Sequence, residues 1–234
     1  MPYSVRRTFP SKRRPRAQLQ WTEARAARDA VAAVARRAPL VLGPNVAQRG
    51  LVLGQGEFKS VDVSGDLTCD TSAQARLLNG IARGDEINER VGREVTLRSI
   101  QFNFTPHVTV GTGVDQQQRV LLVYDRQTNA TALTAAQVLL TVDTVAPRNL
   151  ENRKRFKILF DRTYALNASG EPGAQVTRRF YRKLRHPVSF NAGDAGTVAD
   201  IVTGSLYIIV IGTNVPGVGA GAVFYAARIR YTDN

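Results

Sequence analysis

Residues 93–104 read REVTLRSIQFNF, and the second half of that stretch decides the fold. Ile100, Phe102 and Phe104 fall on one side of an extended chain, Gln101 and Asn103 on the other. That is the period-two pattern of a half-buried strand. Outward from it, residues 119–124, RVLLVY, and 205–211, SLYIIVI, are near-continuous apolar runs, as expected of strands buried on both faces. Residues 155–166, 176–186 and 223–231 read as further strands, and Phe58–Val63 as a short one. Residues 133–140, LTAAQVLL, are the one helix expected among them. Turn clusters at 111–113, 167–173 and 191–196 separate the runs. Seven or eight strands with a single helix predict an antiparallel sandwich or barrel.

The composition bounds the function. The chain has 234 residues, enough for a substantial core, and a formal net charge of +13. One cysteine, Cys69, excludes a disulfide framework and any multi-cysteine zinc site. The longest apolar runs, about nine residues, are too short to cross a bilayer as helices, and no membrane partner is expected. No apolar segment follows the basic N-terminus, so it does not read as a secretory signal.

The charge is concentrated. Residues 1–37 hold ten basic and two acidic side chains, a net of +8, against +5 for all the rest. The cations are Arg6, Arg7, Lys12, Arg13, Arg14, Arg16, Arg25, Arg28, Arg36 and Arg37. Residues 1–20, with Pro2, Pro10 and Pro15 among the charges, cannot bury enough apolar surface to offset chain entropy and are expected to be disordered. Residues 21–38 are alanine-rich, with Thr22 as a candidate cap, Val31 and Val34 on a weak apolar stripe, and Pro39 as a stop. A helix is expected there. The division that follows is a basic arm over 1–38, a Gly/Pro linker over 39–56 and a β domain over 57–234.

No catalytic constellation stands out, and neither an enzyme nor a cofactor is expected. The glycines at 217–221 lead into a strand rather than a helix, so they read as a hairpin turn and not a phosphate loop. Asp85, Glu86 and Glu89 lack calcium-loop spacing and read as a solvated loop. Cys69 has no nearby histidine and reads as an inert buried thiol. His186, at a strand end before Pro187, reads as a plain surface or interface histidine.

What remains is polyanion chemistry. An arginine-rich arm neutralises phosphates without reading sequence, so nucleic acid is the expected partner. Lys12–Arg16 would also suffice as a nuclear import signal. A second basic patch lies at 178–185, where alternation puts Arg179, Tyr181, Lys183 and Arg185 on one strand face. Such a face suits phosphates along a backbone with a base stacked on Tyr181. The alternative is a solvated or inter-subunit face. Arg153, Lys154, Arg155 and Lys157 are a candidate extension.

Several phrases carry a resemblance. Residues 84–100, GDEINERVGREVTLRSI, then 119–127, RVLLVYDRQ, then 155–164, RFKILFDRTY, follow each other in the order and spacing of strands in the jelly-roll capsid proteins of small circular single-stranded DNA viruses. That group is in turn similar to satellite tobacco necrosis virus coat protein. The resemblance implies an eight-stranded antiparallel jelly roll, a T=1 shell of sixty identical subunits, and a packaged genome of single-stranded DNA. It also implies a place in the virion, with the host nucleus as a stage of assembly. The competing reading is a cellular β-barrel that binds single-stranded nucleic acid. It predicts several exposed aromatics on one sheet face.

Overall fold

The computed structural model describes residues 58–108, 114–169, 174–217 and 219–233. The expected disorder, helix and linker between residues 1 and 56 lie outside the described residues.

Nine strands form: β1 (Phe58–Cys69), β2 (Gln74–Leu77), β3 (Glu94–His107), β4 (Gln116–Asp125), β5 (Phe156–Leu166), β6 (Arg178–Phe190), β7 (Ile201–Thr203), β8 (Ser205–Gly212) and β9 (Gly221–Asp233). They make a five-stranded sheet in the order β1-β9-β3-β6-β7 and a four-stranded sheet in the order β2-β8-β4-β5. All strand pairs are antiparallel. Without the three-residue edge strand β7, this is the eight-stranded jelly-roll sandwich, with sequential strands passing between two facing sheets. Residues 94–104 make up most of β3, where Ile100, Phe102 and Phe104 are buried and Gln101 faces solvent.

The core between the sheets takes alternate residues from both. Ile100, Phe102, Phe104, Leu184 and Ile229 come from the five-stranded sheet, and Val120, Leu122, Leu206, Ile208 and Val210 from the other. The opposite faces of β4 and β8 are buried as well. Leu121, Val123, Tyr207, Ile209 and Ile211 form a second core with Leu133, Val138 and Leu139 of the long β4–β5 connection. That connection folds back over the sheet, which is why these two strands read as unbroken apolar runs.

Two arginine–carboxylate pairs hold the excursion down. Arg155 Nε and Nη2 donate to Asp125 at 2.9 and 2.8 Å and close its neck. Arg119, almost fully buried, donates to both oxygens of Asp161 at 2.8 and 2.9 Å and to the Ala146 carbonyl at 2.7 Å. Paired bonds of this fork geometry are stronger and more directional than single neutral bonds.

Three expectations change. The helix expected over 133–140 is a single turn, α1 (Ala135–Val138). Leu139 leaves helical geometry because it bridges Arg148, and Val138 O accepts the Asn149 amide at 2.8 Å, so the returning chain takes the bonds a longer helix would have used. β1 runs six residues beyond Val63, paired with β9 throughout. The glycines at 217–221, expected as a hairpin turn, instead carry the chain from β8 in the four-stranded sheet across to β9 in the five-stranded one, with Gly217 and Gly219 at φ of 79° and 58°, the left-handed region a tight turn requires.

Candidate nucleic-acid interface

The site grows from the outward face of the five-stranded sheet. β6 alternates as the sequence suggests. Phe180 and Leu184 pack against the core, whereas Arg179, Tyr181, Lys183 and Arg185 are exposed on the other face. Register carries that face across the sheet. Tyr181 stands beside Gln101 of β3, Gln101 beside Arg228 of β9, and Arg228 beside Asp62 of β1. One row along, Arg179, Asn103, Ala226 and Ser64 stand together in the same way. Where Ala226 and Ser64 replace longer side chains the face dips. This leaves a shallow hollow of about 400 Å³ lined by Asp62, Ser64, Gln101, Asn103 and Arg228.

Six cations lie on this face: Arg98, Arg179, Lys183, Arg185, Arg228 and Arg230. Asp62, Asp66 and Glu94 oppose them. Arg228 grips Asp62 through Nε at 2.7 Å and Nη2 at 2.6 Å. Those hydrogen bonds, helped by the charge of Arg230, hold the Asp62 carboxyl below its ordinary range despite some burial. Arg98 Nε donates to Thr232 Oγ1 at 3.0 Å. At neutral pH the face is a net cation, with Arg179, Lys183 and Arg185 at its β6 margin.

Aromatics are gathered here too. Phe58, Tyr181 and Phe224 are the exposed large aromatics among the described residues, at 66, 55 and 53 %. All three point outward from this one sheet. Phe224 stacks flat on His107 of β3, ring centroids 4.4 Å apart and planes 7° from parallel.

Other sequence candidates land elsewhere. Arg155 is bound to Asp125 at the neck of the excursion, and Lys157 lies on β5 of the four-stranded sheet. That basic cluster therefore does not extend the β6 patch. Cys69 is fully buried, and burial pushes its thiol up to about 12, so it is an inert core residue. His186 is half-buried and stacks on Tyr124 at 4.4 Å. Glu89 Oε2 accepts the Glu86 amide at 3.0 Å within its own loop. The ten arm cations, Arg6 to Arg37, lie outside the described residues. Phe224, Arg228, Arg230 and His107 were missed as site residues. For Phe224, Arg228 and Arg230 the signal is the outward half of the alternation in 223–231; His107, at the end of β3, carries none there.

The described residues form a jelly roll with a basic outer sheet face, in a chain whose N-terminal sequence is arginine-rich. Residues 51–234 match the family model described as satellite tobacco necrosis virus coat protein, and the chain belongs to that family. The capsid protein of satellite tobacco necrosis virus 1 is 28% identical over 158 residues, covering 66% of this chain and 76% of that one. Among solved structures, the empty head of turnip yellow mosaic virus superposes with a TM-score of 0.36 at 11% identity, covering 84% of this chain and 86% of the other. Desmodium yellow mottle tymovirus gives 0.29 at 13% identity, covering 84% and 95%. Those superpositions are loose, and the strand order itself defines the fold.

The family bears out the jelly-roll capsid fold and the likeness to satellite tobacco necrosis virus coat protein, and corrects the assignment to DNA viruses. The match is to the satellite tobacco necrosis virus coat protein, not to the capsid proteins of small circular single-stranded DNA viruses. The relatives are RNA-virus coats, so the single-stranded DNA genome expected as partner is withdrawn. The chain is a structural, non-catalytic component of a virion.

Proposed function

We propose that this chain is the shell subunit of a small icosahedral virus. In this reading sixty copies close a T=1 particle around a single-stranded RNA genome, held by the arm and by the outer face of the five-stranded sheet. Membership of the satellite tobacco necrosis virus coat protein family carries the reading. Identical subunits must close by point symmetry or grow into filaments, and sixty is the smallest icosahedral set of equivalent positions. About sixty arms of +8 would bring on the order of 480 positive charges to the interior, each able to neutralise about one phosphate. Arg179, Tyr181, Lys183 and Arg185 line the same inner surface, and the turn-rich loops supply contacts between subunits. Lys12–Arg16 would carry free subunits through the host nucleus before assembly.

Electron microscopy of the purified full-length protein tests the assembly. Uniform spherical particles are expected, with extracted nucleic acid digested by ribonuclease and resistant to deoxyribonuclease. A soluble monomer that binds RNA without forming particles would overturn the shell. Cargo sensitive to deoxyribonuclease would overturn the RNA assignment.

A further inference from the structure

The outer face of the five-stranded sheet has the parts of a platform for unpaired bases, a more specific role than attracting phosphate. We infer that it binds single-stranded RNA by stacking bases on two aromatic plates, the Phe224–His107 pair and Tyr181, while flanking arginines hold the backbone. The inference rests on the reading that this face meets the genome.

Three observations carry it. The first is the distribution of aromatics. A solvent-facing Phe or Tyr is ordinary singly, but here the exposed large aromatics of the described residues all lie on one sheet face. The second is geometry. Phe224 stands opposite Thr105 and Tyr181 opposite Gln101, four residues apart along β3 and two strands apart across the sheet. That is roughly 16 Å at ordinary strand spacings. Two plates at this separation serve different nucleotides of one strand. Asn103 of β3 lies midway between them, and beside it Ala226 keeps the floor low, with the hollow running on to Ser64 of β1 and leaving room for sugars and for a further base.

The third is unspent hydrogen-bonding capacity. Asn103 Oδ1 lies beside this hollow and His107 Nδ1 under the Phe224 plate, both without a hydrogen-bond partner. Both are buried polar atoms, and exocyclic amines or 2′-hydroxyls are groups that would satisfy them once the side chains turn toward the hollow. Arg179 flanks the hollow on β6, with Lys183 and Arg185 further along the same strand face, and Arg228, ion-paired to Asp62, closes it on β9. Cations beside aromatic plates make a sequence-tolerant single-strand surface, because every base has a π-face. A duplex keeps its bases stacked on each other and reaches only the cations.

Photo-crosslinking of the full-length protein to a thiouridine-substituted single-stranded RNA, and to the same strand annealed to its complement, tests this. Peptides containing Tyr181 and Phe224 are expected to crosslink to the single strand and to lose the signal with the duplex. The double variant Phe224→Leu, Tyr181→Leu keeps apolar bulk and removes the plates. At salt high enough to suppress the arm, its single-strand affinity should fall by roughly fivefold or more per plate, with duplex affinity unchanged. Crosslinks confined to residues 1–37, with the double variant binding like the wild type, would overturn the platform and leave the shell reading standing. A double variant that binds RNA normally but no longer assembles would also overturn it, by making the face a subunit contact. Failure of the shell reading has a different signature: crosslinks on the sheet face from a protein that forms no particles.

Discussion

His186 shows how one residue couples the sandwich to pH. Its ring stacks on Tyr124 with centroids 4.4 Å apart, and Lys157, Arg126 and Arg182 are close enough to act on it. Burial, then the charge of Lys157, depresses its pKa from the usual 6.5. The unfolded chain therefore takes up this proton before the folded one does. The stabilisation from keeping the ring neutral is whole above about pH 6.5 and is lost as pH falls through the folded pKa. We predict that the thermal midpoint of the free subunit drops between about pH 7 and about pH 5. In His186→Phe, which keeps a ring on Tyr124 and cannot ionise, the drop should be smaller. Equal drops in the two proteins would place the acid sensitivity elsewhere. The sequence placed His186 at a strand end but gave no hint of the stack, because Tyr124 lies 62 positions away on the opposite sheet.

Elements were readable where a strand carries its own pattern, and unreadable where a partner imposes the structure. β3 and β9 alternate, and β4 and β8 are solidly apolar, so each announced itself. β2, QARL, has no fully buried residue and exists through its ladder to β8, and β7 is three residues long at a sheet edge. The cover over the second core was equally hidden, because its stability comes from Arg119–Asp161 and Asp125–Arg155, pairs joined across 42 and 30 positions. These pairs set an element-scale prediction. Asp161→Asn leaves Arg119, whose side chain is only 9% exposed, without its charge partner. The cost should be about 3 kcal/mol, the lower end for breaking a buried pair. Asp62→Asn breaks an ion pair whose side chains are both more than half exposed, and should cost under about 1 kcal/mol. Chemical denaturation of both variants checks the contrast, and similar losses would show that Arg119 does not fasten the excursion.

For the whole molecule the decisive quantity is how the positive charge is shared between arm and sheet face. The sequence displayed the arm, +8 in residues 1–37, and half of the face, the β6 residues. The other half appeared only when register set β9 beside β3, because pairing between strands more than a hundred residues apart in sequence decides which cations become neighbours. The described core draws on residues 61 to 231, so a chain lacking residues 1–37 is expected to keep the β domain. Its RNA affinity should lose most of its salt dependence. Each neutralised phosphate of a single strand contributes about −0.7 to the slope of log affinity against log salt. The ten arm cations can therefore account for at most about −7. Of the six on the sheet face, Arg228 is already engaged by Asp62. The remaining five should leave the truncated protein a slope of at most about −3.5. Binding titrations across salt concentrations, run on both proteins with the same single-stranded RNA, separate the two contributions. Equal slopes would remove the arm as the main phosphate contact. A truncated protein with no slope at all would remove the sheet face, because a surface that touches phosphates must release counterions when it binds.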